Sequence, residues 1–230
     1  MNTNLPKKIS DAIDKQSLKY LENLELRSLV QIIPYVGGSL DTILSAEGNR
    51  IQKERFEKFL NELKEGMNKL NEQKIDKNFI KSEEFFSLFQ ITIEKVIRNY
   101  EKEKIQYFRN IFVNSVKIGK SDTYYKEGFM NILANLSAVH ISILKDYFER
   151  EEVFKKENRG KGGWIISAES IAQKFDLTDS QVEGFCNDLL RYGFLYDALI
   201  GIYGYKRGHF RTTKYSNDFI GFITLEEDND

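Results

Sequence analysis

The side chains in this chain with the greatest chemical potential are few, and their spacing limits what they can do. Two histidines, His140 and His209, and one cysteine, Cys186, are its entire complement of imidazole and thiol. Neither histidine has a carboxylate three or four positions away in a metal-binding arrangement, so both read as structural, and no metal site is expected. Cys186 falls within an apolar helical period beside Phe185 and reads as a buried thiol rather than a nucleophile. Gly119-Lys120-Ser121 has the form of the end of a phosphate-binding loop, but that loop needs a glycine where Asn114 stands and a strand before it. Arg159-Gly160-Lys161-Gly162-Gly163 is basic and glycine-rich without a spaced acidic partner, and reads as a connection. Glu101-Lys102-Glu103-Lys104 has the residues of an acid and lysine pair, which helix-surface ion pairing already accounts for. No catalytic residue and no cofactor is expected from this set.

The remaining chemistry is that of contact. Lys206, Arg207, His209, Arg211 and Lys214 cluster within nine positions and can follow a phosphate backbone. Gln181, Asn187 and Arg191 share a short helical segment and are residue types that read base edges. Against this, Ser180 to Tyr192 offers Arg191 as its one charged donor beside Glu183 and Asp188. DNA binding through the basic segment is therefore the alternative, and packing or protein contact the preferred reading. Pro34, Tyr35, Val36, Gly37 and Gly38 interrupt two apolar segments, as a tight helix-helix turn does; entry into a membrane interface or contact with a partner is the other reading.

These residues have to be carried by a scaffold, and the scaffold reads as mainly α. The chain has 230 residues, 41% hydrophobic and 30% charged, enough to bury a core in one large domain or two modest ones. With 34 basic and 35 acidic residues the net charge is −1, so no global field draws it to nucleic acid or an anionic surface. One cysteine excludes an intramolecular disulfide and suits a reducing compartment, with the cytoplasm as the expected location. The first ten residues do not form a secretory signal, and Leu29 to Leu44 is too interrupted for the roughly 20 apolar residues of a spanning helix. Stable membrane insertion is not expected. Two prolines in all favour long helices.

Along the chain, Lys8 to Leu21 is weakly amphipathic, and Leu24 to Ile33 and Ser39 to Ser45 flank the Pro34–Gly38 break. From Asn49 to Leu70, Ile51, Phe56, Phe59, Leu60, Leu63, Met67 and Leu70 recur at helical spacing. A polar linker at Glu72 to Lys77 leads to Ser82, which caps a second stripe of Phe85, Phe86, Phe89, Ile93, Val96, Ile97 and Tyr100. The stripe resumes with Ile105, Phe108, Ile111, Phe112 and Val116, predicting one helix of about 50 Å with a bend or turn at Asn99 to Lys104. Further helices are expected over Tyr125 to Leu136 and, capped by Ser137, Ala138 to Phe154.

The C-terminal part, 137–230, has the order of a winged helix. Trp164-Ile165-Ile166 predicts a strand, and Ser167 caps a helix holding Ile171, Ala172 and Phe175. Asp176-Leu177 turns, and Thr178 with Gln181 makes a capping box for a second helix that Gly193 ends. Phe194 to Tyr203 and His209 to Tyr215 then predict a hairpin with a basic tip. Residues 1–136 are expected to be a separate helical domain, a bundle or a long hairpin.

Three segments together, Ile33-Pro34-Tyr35-Val36-Gly37-Gly38, Glu103-Lys104-Ile105-Gln106-Tyr107-Phe108-Arg109-Asn110-Ile111 and Phe210-Arg211-Thr212-Thr213 followed by Phe219-Ile220, resemble a diffuse group of uncharacterised bacterial and prophage helical proteins. That group includes abortive-infection-alpha-like proteins with a winged-helix-like end. Asn217-Asp218 stands where the group has a small residue or glycine before the final phenylalanine. The resemblance implies a role in the accessory genome, such as phage-host conflict, and no active-site residues. The expected function is thus a non-enzymatic interaction or assembly protein, acting on a protein partner or its own copies. A winged-helix transcription regulator is the alternative, and a membrane-active effector using Leu29 to Leu44 the third reading.

Overall fold

The computed structural model describes residues 50–99, 101–120, 125–157, 166–201 and 208–225. The expected helices before residue 46, the Pro34–Gly38 break, the glycine-rich 159–163 segment and the hairpin tip with Lys206 and Arg207 lie outside the described residues. What is described is mainly helical with a small three-stranded antiparallel sheet. It divides into two compact units, Met1–Ala134 with Phe222–Asp230, and Asn135–Gly221.

In the first unit, α1 (Arg50–Asn68) buries Phe56, Phe59, Leu60, Leu63 and Met67 on the stripe that the sequence spacing predicts. A single turn at Glu72–Lys74 and the short α2 (Lys77–Ile80) fill the polar linker. Asp76 caps α2 by accepting the Asn78 and Phe79 N–H groups at 2.9 and 3.0 Å. Ser82 caps α3 (Glu83–Arg98) by accepting the Phe85 N–H at 3.2 Å. α4 (Lys102–Ser115) follows, and α1, α3 and α4 pack in all three pairings. Phe112 is the hub, its ring 5.2 Å from Phe85 and 5.4 Å from Phe89. A Cβ on Gly66 of α1 would lie 3.1 Å from Val113 Cγ2 of α4, so that crossing has no room for a side chain at 66 unless its neighbour gives way.

The single bent helix expected over Ser82 to Val116 is instead two. Asn99 adopts an extended backbone, φ −91° and ψ 132°, and its side-chain oxygen accepts the Glu101 N–H at 3.0 Å. That local turn competes successfully with helix continuation.

After α4, α5 (Lys126–Asn135) buries Phe129, Met130 and Leu133. Lys126 is 2% exposed; its ammonium meets Glu84 at 2.8 Å and lies 4.2 Å above the Phe79 ring. Asn110 and Asn114 on α4 donate to the carbonyls of Ile223 at 2.6 Å, Phe222 at 2.9 Å and Thr224 at 2.8 Å. These are the open carbonyls at the end of the chain's last described helix.

The second unit begins with α6 (Ala138–Glu157), then β1 (Ile166–Ser167), α7 (Ala168–Phe175), α8 (Asp179–Arg191), β2 (Leu195–Asp197), β3 (His209–Thr212) and α9 (Lys214–Ile223), whose last two residues belong to the first unit. The sheet order is β1-β3-β2, with Ile166 opposite Phe210, and Leu195 opposite Thr212. Asp176, at φ 53°, makes the left-handed turn between α7 and α8, a conformation an aspartate tolerates. Thr178 and Gln181 form the expected capping box. Gly193, at φ +74°, ends α8 and aims Phe194 at Phe219, 4.6 Å between ring centres.

Both expected hairpin strands are shorter than the sequence pattern predicts. β2 stops at Asp197, whose carboxylate accepts the Leu199 N–H at 3.0 Å and starts a turn. β3 stops at Thr212 because Thr213 is a helix cap: its hydroxyl accepts the Ser216 N–H at 3.1 Å and donates to the Gly193 carbonyl at 2.7 Å. Lys214 therefore opens α9 and is not on the hairpin. Among the described residues, no single helix is long and apolar enough to cross a membrane.

Candidate functional site

The face of α8 is built by its period. Val182, Cys186 and Leu189 recur at four and three positions and are wholly buried. At 100° per residue the arc opposite them is Ser180, Gly184, Asn187 and Arg191, with Glu183 on one flank and Asp188 on the other. Within α8 the acids Asp179, Glu183 and Asp188 outnumber the one base, Arg191, and Asp176 precedes them in the turn, so the element is acidic.

The structure disperses the basic and polar residues expected to read nucleic acid. The Gln181 side-chain oxygen accepts the Thr178 N–H at 2.9 Å and the Thr178 hydroxyl at 3.0 Å, and is engaged at the helix end. Arg191 is exposed, and its guanidinium lies 3.3 Å from the Asp188 carboxylate. Asn187 is half-buried, as is His209 in β3 opposite Ser167. Arg211, in β3, donates to Glu151 of α6 at 3.3 Å. The same carboxylate accepts the Thr212 N–H at 3.1 Å and hydroxyl at 2.5 Å. Burial pushes the Glu151 carboxyl upward, but the two Thr212 hydrogen bonds, Lys155 and Arg211 together bring it below the usual range. Arg211 is thus a member of a buried ion cluster and not a free phosphate ligand.

His140 has no carboxylate three or four positions away in sequence, and the fold brings one to it from elsewhere in the chain. Asp188, 48 positions away in sequence, places Oδ2 3.3 Å from His140 Nε2. On the other side of the ring, Nδ1 accepts the Ser137 N–H at 3.2 Å and lies 2.7 Å from the Ser137 hydroxyl. An Nδ1 that accepts a backbone N–H leaves the proton on Nε2, which then donates to Asp188. Ser, His and Asp in a row suggest acyl-transfer chemistry, but the positions do not suit it. A cavity of about 310 Å³ is lined by His140 and Asp188 with Asn135, Leu136, Arg191 and Tyr192, and Ser137 is not on its wall. The Ser137 hydroxyl instead accepts the His140 N–H at 3.4 Å, as the cap of α6, with histidine where a capping box has Glu or Gln. Phe185 meets the ring edge-on at 4.7 Å.

Cys186 is buried as expected, its sulfur 3.6 Å from the Tyr147 hydroxyl. Burial pushes the thiol up to about 12, and the Tyr147 phenol up as well. Asp146, 3% exposed, is held by Arg150 at 2.7 Å and by Lys174, on the wall of a second cavity of about 400 Å³. Among the described residues, no group of three or more His, Cys, Asp or Glu is arranged to hold a metal ion.

Sequence reasoning missed the Glu151 and Asp146 clusters and the His140–Asp188 pair, because each joins segments far apart in the chain. It also passed over Gly184, whose signal was present: a glycine in the middle of an otherwise well-capped helix. No protein-family model, curated protein or solved structure matches the chain with significance.

Proposed function

We propose that this protein works by contact and not by catalysis, and that its second unit is a winged-helix-like module used to bind protein instead of reading DNA. The order strand, two helices and two strands, in a sheet ordered β1-β3-β2, supports the module assignment. The observation that carries the functional reading is the charge of α8, the helix that such a module would place in a groove. With three acids to one base along its length, Asp176 in the turn before it, and that base beside Asp188, it meets a phosphate backbone with repulsion. A protonated Cys186 and a His140 engaged at a helix cap support a role without covalent chemistry. The first unit, with its aromatic core around Phe112, serves as the body that assembles with itself or a partner.

Binding of the purified chain to mixed genomic DNA fragments across a salt series tests this directly, since charge contacts weaken steeply as salt rises. Absence of binding at low salt is the expected result. Tight, salt-sensitive and sequence-selective binding overturns the reading in favour of a regulator acting through Lys206, Arg207 and the adjoining strands.

A further inference from the structure

His140 is held from both sides by groups that answer differently to a proton. Its Nδ1 accepts the Ser137 N–H at 3.2 Å and lies 2.7 Å from the Ser137 hydroxyl, and its Nε2 lies 3.3 Å from Asp188 Oδ2. Among the described residues, Nδ1 is the only acceptor of the Ser137 N–H. The ring is 12% exposed and stands on the wall of the cavity of about 310 Å³. Imidazole is also the side chain whose charge ordinarily changes between about pH 5 and 8.

In the neutral ring Nδ1 carries a lone pair and no proton, so it accepts from Ser137, and the Nε2–H donates to Asp188. A second proton can go only to Nδ1. The Nδ1–H then faces the Ser137 N–H, donor against donor, and that backbone bond is lost. The Ser137 hydroxyl, which already accepts the His140 N–H at 3.4 Å, turns its own hydrogen aside and accepts from the Nδ1–H as well. At the other end of the ring the bond to Asp188 becomes charge-assisted, the stronger kind. One proton thus removes the backbone bond of the α6 cap residue and tightens the joint between α6 and α8.

We propose that His140 is a pH-sensitive switch at the start of α6. Its neutral state secures the Ser137 backbone; its charged state releases that backbone and grips α8 through Asp188. A capping box with Glu or Gln at this position would hold Ser137 without titrating near neutrality, so the histidine is what makes the cap responsive. The groups that face the ring are few. From α8, Asp188 attracts the charged ring, Arg191 competes for that carboxylate from 3.3 Å on its other oxygen, and Phe185 meets the ring edge-on. From α6, the N-terminal dipole opposes the charge. Tyr192, on the cavity wall, is the remaining titratable neighbour. The switch stands apart from the protein-contact reading, and neither outcome of the DNA test bears on it.

Nuclear magnetic resonance of the isotope-labelled full chain at about pH 8 and about pH 5, the two ends of the imidazole range, tests it. At the higher pH the His140 ring nitrogens are expected to show the Nε2–H tautomer, and the Ser137 amide to be protected from exchange relative to an unstructured peptide at the same pH. At the lower pH both ring nitrogens carry protons, and the protection of Ser137 falls by about five- to tenfold, the worth of one backbone hydrogen bond. In His140→Gln, whose side-chain oxygen takes the Ser137 N–H as in a capping box, protection is expected to be equal at both pH values. In Asp188→Asn the loss of protection is expected to need a lower pH, because the charged ring has lost its carboxylate. An Nδ1–H tautomer at the higher pH, or a parent Ser137 amide equally protected at both, overturns the proposal. So does a His140→Gln chain that loses protection as the parent does, or an Asp188→Asn chain that responds at the same pH as the parent. The ring tautomer and the Ser137 amide of the parent decide the matter even where a variant fails to fold.

Discussion

Replacing Glu151 with alanine is expected to remove about 3–5 kcal/mol from the stability of the second unit. The figure follows from what the carboxylate satisfies. Its side chain is 10% exposed; one oxygen accepts both the N–H and the hydroxyl of Thr212, which is 7% exposed, and the other faces Arg211. Truncation leaves two buried Thr212 donors without an acceptor, at roughly 1–3 kcal/mol each, and removes the nearest carboxylate from a guanidinium whose Nε already lacks a partner. Glu151→Gln retains an oxygen for Thr212 but turns an amide NH2 toward Arg211 or the strand, and is expected to lose about half as much. Acid unfolding separates charge from shape. Because the folded-state pKa of Glu151 is depressed, the unfolded chain binds its proton first as pH falls. The stabilisation is complete above the unfolded pKa of about 4.3 and disappears as pH drops through the lower folded value. The Gln variant should accordingly show a shallower decline from pH 5 to 3 than the parent. Urea titrations followed by fluorescence of Trp164, the chain's one tryptophan, which falls within the Asn135–Gly221 segment, supply both measurements. At a slope of about 1 kcal/mol per M for a small domain, the alanine variant should unfold roughly 3–5 M earlier. A loss under about 1 kcal/mol, or identical acid limbs for parent and Gln variant, refutes the reasoning.

Gly184→Ala is expected to raise the stability of the second unit by about 0.8–1 kcal/mol, measured by thermal unfolding, since the methyl enters open space on a helix; a decrease refutes the placement. Asn114→Ala should cost the first unit about 1–3 kcal/mol by leaving the Phe222 and Thr224 carbonyls short of a donor, and unchanged urea unfolding refutes it. Cys186, with its thiol pushed up to about 12, should resist a disulfide-exchange reagent at neutral pH and react fully in denaturant; rapid labelling of the folded chain refutes its burial.

Much of the fold was legible because it is local. The stripe from Phe56 to Met67, the Ser82 and Ser167 caps, and the Thr178–Gln181 box each depend on residues within one or two helical turns, and they emerged where spacing placed them. Two errors of extent were also local but involved competing signals. The polar Asn99 to Lys104 segment reads as a bend or turn within one continuous helix, whereas the Asn99 side chain makes the turn that ends α3. His209 to Tyr215 alternates like a strand, and Thr213 cuts it short by capping α9, a helix the sequence reading did not place. The candidate site was less legible because its charges are decided by partners far along the chain. Arg211 with Glu151 and His140 with Asp188 are invisible to periodicity, and each changes the meaning of a residue that by type alone suggested phosphate binding or nothing at all.

The 3.1 Å separation between the Cβ position of Gly66 and the Val113 side chain makes two distant sites share one small volume. Gly66→Ala with the valine retained crowds the crossing, an overpacking cost of about 1–3 kcal/mol less the roughly 1 kcal/mol that alanine contributes in a helix interior, while Val113→Ala with the glycine retained leaves a hollow, at about 1–2 kcal/mol. Either single step descends before the double substitution, Gly66→Ala together with Val113→Ala, restores the fill. Descendants of this sequence are therefore expected to cross that valley by changing both codons or neither, so that inheritance at the two positions is correlated although they stand 47 positions apart in the chain.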